Sequence, residues 1–166
     1  MGGGFRKLGL TAHVSSSIGW VGAVLVFLAH GVVGVTSRDQ HTVRGVYLVM
    51  EPAAWFVLVP LAFASLVTGV IQALATPWGL FRRYWILVKL VITVFATSVL
   101  LVYMETFGAM ARVAADPTAD LAVVRNPSPV VHAALALVLL LVATVLAIYK
   151  PWGTIPYART KSRPST

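Results

Sequence analysis

The sequence contains no cysteine, and only 11% of its 166 residues are charged. The missing cysteines exclude disulfides, thiolate metal sites and thiol redox chemistry. Charge is scarce beside the about 25% of an average soluble domain. Acids are scarcer still, with 5 Asp and Glu against 13 Lys and Arg. Sequence signatures of catalysis are also missing. No G-x-S-x-G elbow, H-E-x-x-H or E-x-x-H spacing occurs, and no acid lies near His13 in sequence. Gly2-Gly3-Gly4 lacks the Lys-Ser/Thr of a phosphate loop, and no strand precedes it.

What is present is apolar. Hydrophobic residues make up 58% of the chain, and mean hydropathy is +0.86. A chain this short cannot hide that much apolar surface in its own core, so lipid must be its solvent. A soluble enzyme, a secreted disulfide scaffold and a disordered chain are excluded on this ground.

A spanning helix needs about 20 mostly apolar residues. Four stretches qualify, at about 8–35, 46–75, 85–103 and 130–149. The expected fold is therefore all-α, a polytopic membrane protein with four transmembrane helices in an up-down bundle. One transmembrane domain covers 1–150, and a flexible basic tail covers 151–166. The first run is about twice the length of a signal-peptide core and three more spans follow, so it reads as a retained helix. Pro52 fits a first turn of span two, whereas Pro60 lies inside it and predicts a kink. The turn Thr76-Pro77-Trp78-Gly79 makes spans two and three a hairpin. The link at 106–129 is the longest, and its Ala-rich first part fits either an extension of helix three or a short surface helix.

Loop charge predicts the orientation. With the N-terminus inside, the inner segments hold Arg6, Lys7, Arg82, Arg83, Lys150, Arg159, Lys161 and Arg163, and no acid. The outer segments hold Arg38, Arg44, Arg112 and Arg125 with all five acids: Asp39, Glu51, Glu105, Asp116 and Asp120. The chain is thus expected N-in and C-in. Its net charge of +8 then reflects topology and attraction to anionic headgroups, not nucleic acid. Trp78, Trp85 and Trp152 fall at the inner interface, Trp55 near the outer one, and Trp20 midway along span one.

Polar residues inside the spans are few enough to weigh singly. His13, Ser16, Ser17, Trp20, Val24, Phe27, Gly31 and Gly34 share one face of helix one. That face serves either for helix packing with a hydrogen-bonded His13, or to hold His13 as a ligand or proton carrier. Lys89 either snorkels to the inner surface or turns inward toward His13, Ser17, Thr68 and Gln72. The second arrangement would form a positive pocket for an anionic headgroup, a propionate or a quinone carbonyl. In the outer half, His30, His132 and Glu51, with Glu105 and Met104, lie at one expected level. Such residues can bind metal or haem iron, and they also collect at helix ends for solvation alone. On depth, His30 and His132 are expected to face each other with Glu51 beside them.

Thr11-Ala12-His13 followed by Gly19-Trp20-Val21-Gly22 resembles the first helix of the copper-resistance D membrane domain. Thr68-Gly69, Trp78-Gly79-Leu80, Tyr84-Trp85 with Lys89, and Val131-His132 with Lys150-Pro151 extend that resemblance over most of the chain. The chain is similar to a group of small bacterial four-helix membrane proteins of uncharacterised function, distantly related to that family. The resemblance implies a four-helix bundle in the bacterial cell membrane and copper or haem handling, with His13 and His132 as ligand positions. Depth places those two histidines in opposite leaflets. The chain is also much shorter than the copper-resistance pattern and lacks its Met- and His-rich stretch.

Two functions follow. One is a structural or accessory bundle that binds membrane lipids and partner membrane proteins, or a second copy of itself, with no chemistry of its own. The other is a redox protein holding haem b or copper between intramembrane histidines. A transporter or channel needs more spans than four, unless copies assemble.

Overall fold

The computed structural model describes residues 3–75 and 83–150, and all of its regular structure is helical. Helix α1 spans Gly3–Thr36 and α2 spans Gln40–Ala53. A π-helical turn, Ala54–Leu58, joins α2 to α3, Val59–Ala75. Helix α4 spans Tyr84–Ala115, and α5 spans Ser128–Tyr149 after a short 3₁₀ turn at Leu121–Val123. The Thr76–Gly79 turn, Trp78, Arg82, Trp152 and the tail from Pro151 lie outside the described residues.

Four helical stretches are long and apolar enough to cross a membrane: Arg6–Thr36, Gln40–Ala75, Tyr84–Ala115 and Leu121–Tyr149. In the most apolar window of each, at most 28% is buried inside the protein. Phe56 and Val102 are 81% and 78% exposed, and Leu8, Ile18 and Leu74 are exposed as well. In water this surface would drive aggregation, and in hydrocarbon it is solvated. The chain is thus a helical bundle of multi-pass membrane type.

Several helix limits differ from those read in the sequence, each for a local reason. Helix α2 begins at Gln40 because Asp39 caps it, its carboxylate accepting from His41 N at 3.2 Å and Thr42 N at 3.0 Å. Only three residues therefore link α1 to α2, and Pro52 lies in the last turn of α2 instead of in a first turn. Pro60 gives a widened turn just before it. Val59 N bonds back five residues to Ala54 O, which makes room for a ring that would otherwise strike the carbonyl four residues earlier. Helix α4 runs on to Ala115, with Phe107, Met110, Ala111 and Ala114 continuing its buried stripe. It stops at Asp116, which is extended ahead of Pro117. The long link shortens to Asp116–Pro127, pinned by buried Leu121 and Val124.

Contacts pair the helices in opposite chain directions. Gly9 meets Gln72, His13 meets Gly69, Gly19 meets Leu61, and Gly34 meets Tyr47. Between α2 and α4, Arg44 reaches Ala114 while Glu51 reaches Gly108. Gly31 of α1 packs on Pro129 and Val130 of α5. The core runs through the middle of this assembly, with Trp20, Phe27, Tyr47, Met50, Met104 and Phe107 among its buried members. The predicted face of α1 is the one that packs: Ser16, Trp20, Val24, Phe27, Gly31 and Gly34 are all buried.

Candidate functional site

The polar face of α1 meets a matching face of α3. On α3, Ser65, Thr68, Gly69 and Gln72 recur at i, i+3, i+4 and i+7, so they form one stripe. His13 is the centre of the contact. Its Nδ1 lies 3.1 Å from Ser65 O and 3.1 Å from Thr68 Oγ1. A carbonyl oxygen only accepts, so Nδ1 carries the proton and Nε2 carries the free lone pair. Thr68 donates its hydroxyl back to Ala64 O, leaving its lone pair for His13. One step along the interface, the hydroxyls of Ser17 and Ser65 are 2.8 Å apart. Interhelical hydrogen bonds of this kind contribute about 0.6 kcal/mol each in a bilayer.

Gly69 makes room for the ring. A Cβ built at Gly69 would lie 3.0 Å from His13 Cε1. At the end of the stripe, Gln72 reaches Gly9, with Nε2 3.4 Å from where a Gly9 Cβ would stand. That buried Nε2 has no hydrogen-bond partner among the described residues. Lys89 of α4 is half-buried. Its side chain has no hydrogen bond or ion pair among the described residues. The structure thus joins His13 to Thr68 and Ser17 to Ser65, and continues the α3 stripe to Gln72. Ser65 was missed in the sequence, although its 65-68-69-72 spacing was available as a signal.

The outer set behaves differently. His30 Nδ1 lies 2.9 Å from Val26 O, one turn back on its own helix. His132 Nδ1 likewise lies 2.9 Å from Ser128 O and 3.3 Å from Ser128 Oγ. His132 also stacks on Tyr103 at 4.2 Å between ring centroids, and the Tyr103 hydroxyl is 2.8 Å from Ser128 Oγ. Aromatic contacts then run from Tyr103 to Phe107, from Phe107 to Phe27, and from Phe27 to His30. Glu51 Oε1 lies 3.2 Å, and Arg112 Nη1 3.5 Å, from where a Gly108 Cβ would stand. No hydrogen bond or ring contact joins His30, His132 and Glu51 among the described residues. No group of three or more His, Cys, Asp or Glu capable of holding a metal occurs there either. The geometry therefore gives haem or copper binding no support.

Arg44 is a second residue the sequence reading left among the outer charges. Its guanidinium donates to Ala114 O at 3.1 Å, Asp116 O, Pro117 O at 3.1 Å and Ala119 O at 3.0 Å. One planar fork thereby closes the C-terminal end of α4, where unsatisfied carbonyls concentrate negative potential.

Chemically, the His13 face offers the Nε2 lone pair of His13 and the unpartnered amide nitrogen of Gln72. The His13 ring proton points at a backbone carbonyl, and no carboxylate hydrogen-bonds the ring among the described residues. Comparison of the chain with known protein families, characterised proteins and solved structures finds no match.

Proposed function

We propose that this protein is an accessory bundle of the bacterial cell membrane, arranged up-down with both termini inside. It binds membrane lipids and the helices of partner membrane proteins, and carries out no reaction itself. The observation that carries this reading is the distribution of burial. Each span devotes a minority of its surface to the bundle and turns large apolar side chains outward. Its internal polar contacts join helices to one another instead of converging on a reacting centre. The orientation rests on loop charge, with eight basic residues and no acid on the inner side.

A reporter active only in the cytoplasm, fused after Thr166, tests the orientation. Activity is expected, and periplasmic activity of the matching export reporter would invert the assignment. Cross-linking in native membranes tests the accessory role. The expected product is the chain joined to a second membrane protein or to its own copy. A chain recovered only as a monomer throughout would reject partner binding.

A further inference from the structure

We infer that Glu51 of α2 and Arg112 of α4 form a binding site for the phosphoethanolamine headgroup of a phospholipid, the carboxylate taking its ammonium and the guanidinium its phosphate. The inference deepens the lipid-binding part of the function proposed above and rests on the chain being membrane-embedded.

The first observation is convergence. Glu51 Oε1 and Arg112 Nη1 lie 3.2 Å and 3.5 Å from one point, the place where a Gly108 Cβ would stand. Arg112 lies one turn after Gly108, on the same side of α4, and Glu51 reaches that point from α2. Gly108 is buried beneath them, whereas Glu51 is half-buried and Arg112 exposed. The second observation is that the two charges are not spent on each other. Neither side chain has a hydrogen bond or ion pair among the described residues. Arg44 is the contrast, since its terminal N–H groups are all committed to backbone carbonyls. The third observation is depth. Tyr84 and Trp85 open α4, and such aromatics mark a membrane interface. At 1.5 Å per residue, Gly108 stands about 36 Å along the helix axis from Tyr84. The hydrocarbon core is about 30 Å thick, so the pair falls in the headgroup layer on the far side.

The ligand chemistry follows. One carboxylate and one guanidinium side by side suit a ligand that carries a cation and an anion on a short link. A guanidinium matches phosphate oxygens with its planar fork, and a carboxylate accepts from an ammonium. At headgroup depth, the phosphoethanolamine of a phospholipid supplies both charges while its acyl chains stay in the hydrocarbon. Its primary ammonium has three N–H donors for Glu51, whereas the trimethylammonium of phosphatidylcholine has none. Phosphatidylglycerol offers Arg112 a phosphate but brings no cation for Glu51.

The experiment uses the purified full chain in neutral detergent micelles. Lipid retention is read by native mass spectrometry with phosphatidylethanolamine, phosphatidylcholine or phosphatidylglycerol of the same acyl chains, and thermal unfolding is followed in parallel. Phosphatidylethanolamine should be retained about tenfold better than the other two, and it should raise the melting temperature. Glu51→Gln should reduce its retention to the phosphatidylcholine level and leave phosphatidylcholine unchanged. Arg112→Gln should weaken retention of phosphatidylethanolamine about tenfold, the loss of one charge-assisted hydrogen bond. Arg38→Gln removes an exposed charge elsewhere and should change nothing. Equal retention of phosphatidylethanolamine and phosphatidylcholine by wild type would overturn the site and leave lipid binding in general standing. Retention of no lipid at all would overturn both. A loss in Arg38→Gln as large as that in Arg112→Gln would replace the site by diffuse attraction. If both variants melt lower without lipid, and phosphatidylethanolamine raises neither wild type nor variants, Glu51 and Arg112 serve only to pair with each other and the site is rejected. Displacement of the bound lipid by an equal concentration of soluble phosphoethanolamine would overturn the lipid assignment in favour of a free zwitterion. Micelles have no sides, so each of these outcomes is separate from a failure of the predicted orientation.

Discussion

Gly69 of α3 lies directly against the His13 ring of α1, so closely that a methyl group at Gly69 would stand 3.0 Å from His13 Cε1. The ring cannot swing clear without releasing Ser65 O and Thr68 Oγ1. Gly69→Ala therefore gains helix propensity of about 1 kcal/mol and meets an overpacking cost of about 1–3 kcal/mol. The net expectation is destabilisation of about 1 kcal/mol, measured by denaturant or heat unfolding in detergent. Gly22→Ala is the control, because no atom lies within 4 Å of its Cβ position. It should be neutral or slightly stabilising. Equal effects at the two glycines would contradict the close approach.

Tyr47 gives the opposite sign. Its side chain is 1% exposed, and its hydroxyl has no hydrogen-bond partner among the described residues. Tyr47→Phe removes a buried polar group that is not repaid, so it should stabilise by about 1 kcal/mol. Gly34→Ala should destabilise by about 2 kcal/mol, since a Cβ there would be 2.8 Å from that hydroxyl and 2.9 Å from Cζ. Adding Tyr47→Phe to Gly34→Ala should recover only part of the loss, because the ring carbon remains in place. Full recovery would mean that the oxygen alone sets the contact.

The packing face of α1 was legible because helical periodicity fixes which residues share a side, and Thr68 was placed level with His13 by depth. Gln72 was placed by the same depth argument. Ser65 O was not legible, since a backbone acceptor depends on the exact register of two helices. Depth placed His30 and His132 at one level, but depth says nothing about rotation around each helix. Nor does it give the contact that each Nδ1 makes with the carbonyl one turn back on its own helix. The cap at Asp39 was visible as a residue type, yet the apolar-span criterion began the helix later, at about 46. Arg44 was hidden because its four acceptors are backbone carbonyls more than sixty residues away.

The caps predict a pH dependence confined to acid. Hydrogen bonds from the Thr42 hydroxyl, at 2.6 Å, and from the backbone of Thr42 and His41 hold the Asp39 carboxyl below the ordinary aspartate value. Thr118 acts on Asp116 in the same way, its hydroxyl at 2.7 Å and its N–H at 2.8 Å. Both groups are more acidic folded than unfolded, so their stabilisation is fully present above the ordinary aspartate pKa. It is lost as pH falls through the depressed folded value. Melting temperature should be flat across neutral pH and fall at acid pH, with a smaller fall in Asp39→Asn. An unchanged acid profile in that variant would remove Asp39 from the account.

Arg44 should matter out of proportion to its place near the helix end. Arg44→Ala leaves the last carbonyls of α4 and those of Pro117 and Ala119 without their shared donor. The expected cost is about 2 kcal/mol, discounted from the sum of charged hydrogen bonds because the site is partly open to solvent. Arg44→Lys should restore less than half, because a point ammonium cannot span acceptors that a planar fork reaches together. Hydrogen exchange should localise the loosening to the segment from Asp116 to Pro127, leaving the His13 contact protected.

His30 and His132 separate a ligand role from a packing role. His132 stacks on Tyr103 at 4.2 Å, and such a ring pair contributes about 0.5–1.5 kcal/mol. Phe27 meets His30 only edge-on, at 6.4 Å. If the rings serve packing, His132→Ala should lower stability by about 1 kcal/mol, His132→Phe should restore most of it, and His30→Ala should change little. Metal content and visible absorption of the purified protein should be the same in all three variants and in wild type. If instead the rings hold haem iron or copper, wild type would absorb in the Soret region or contain stoichiometric copper. His30→Ala and His132→Ala would then abolish that signal together, and His132→Phe, which keeps the stack but supplies no ring nitrogen, would abolish it too. His132→Phe thus decides the matter alone: preserved stability without any lost chromophore is the packing result, and a lost chromophore is the ligand result.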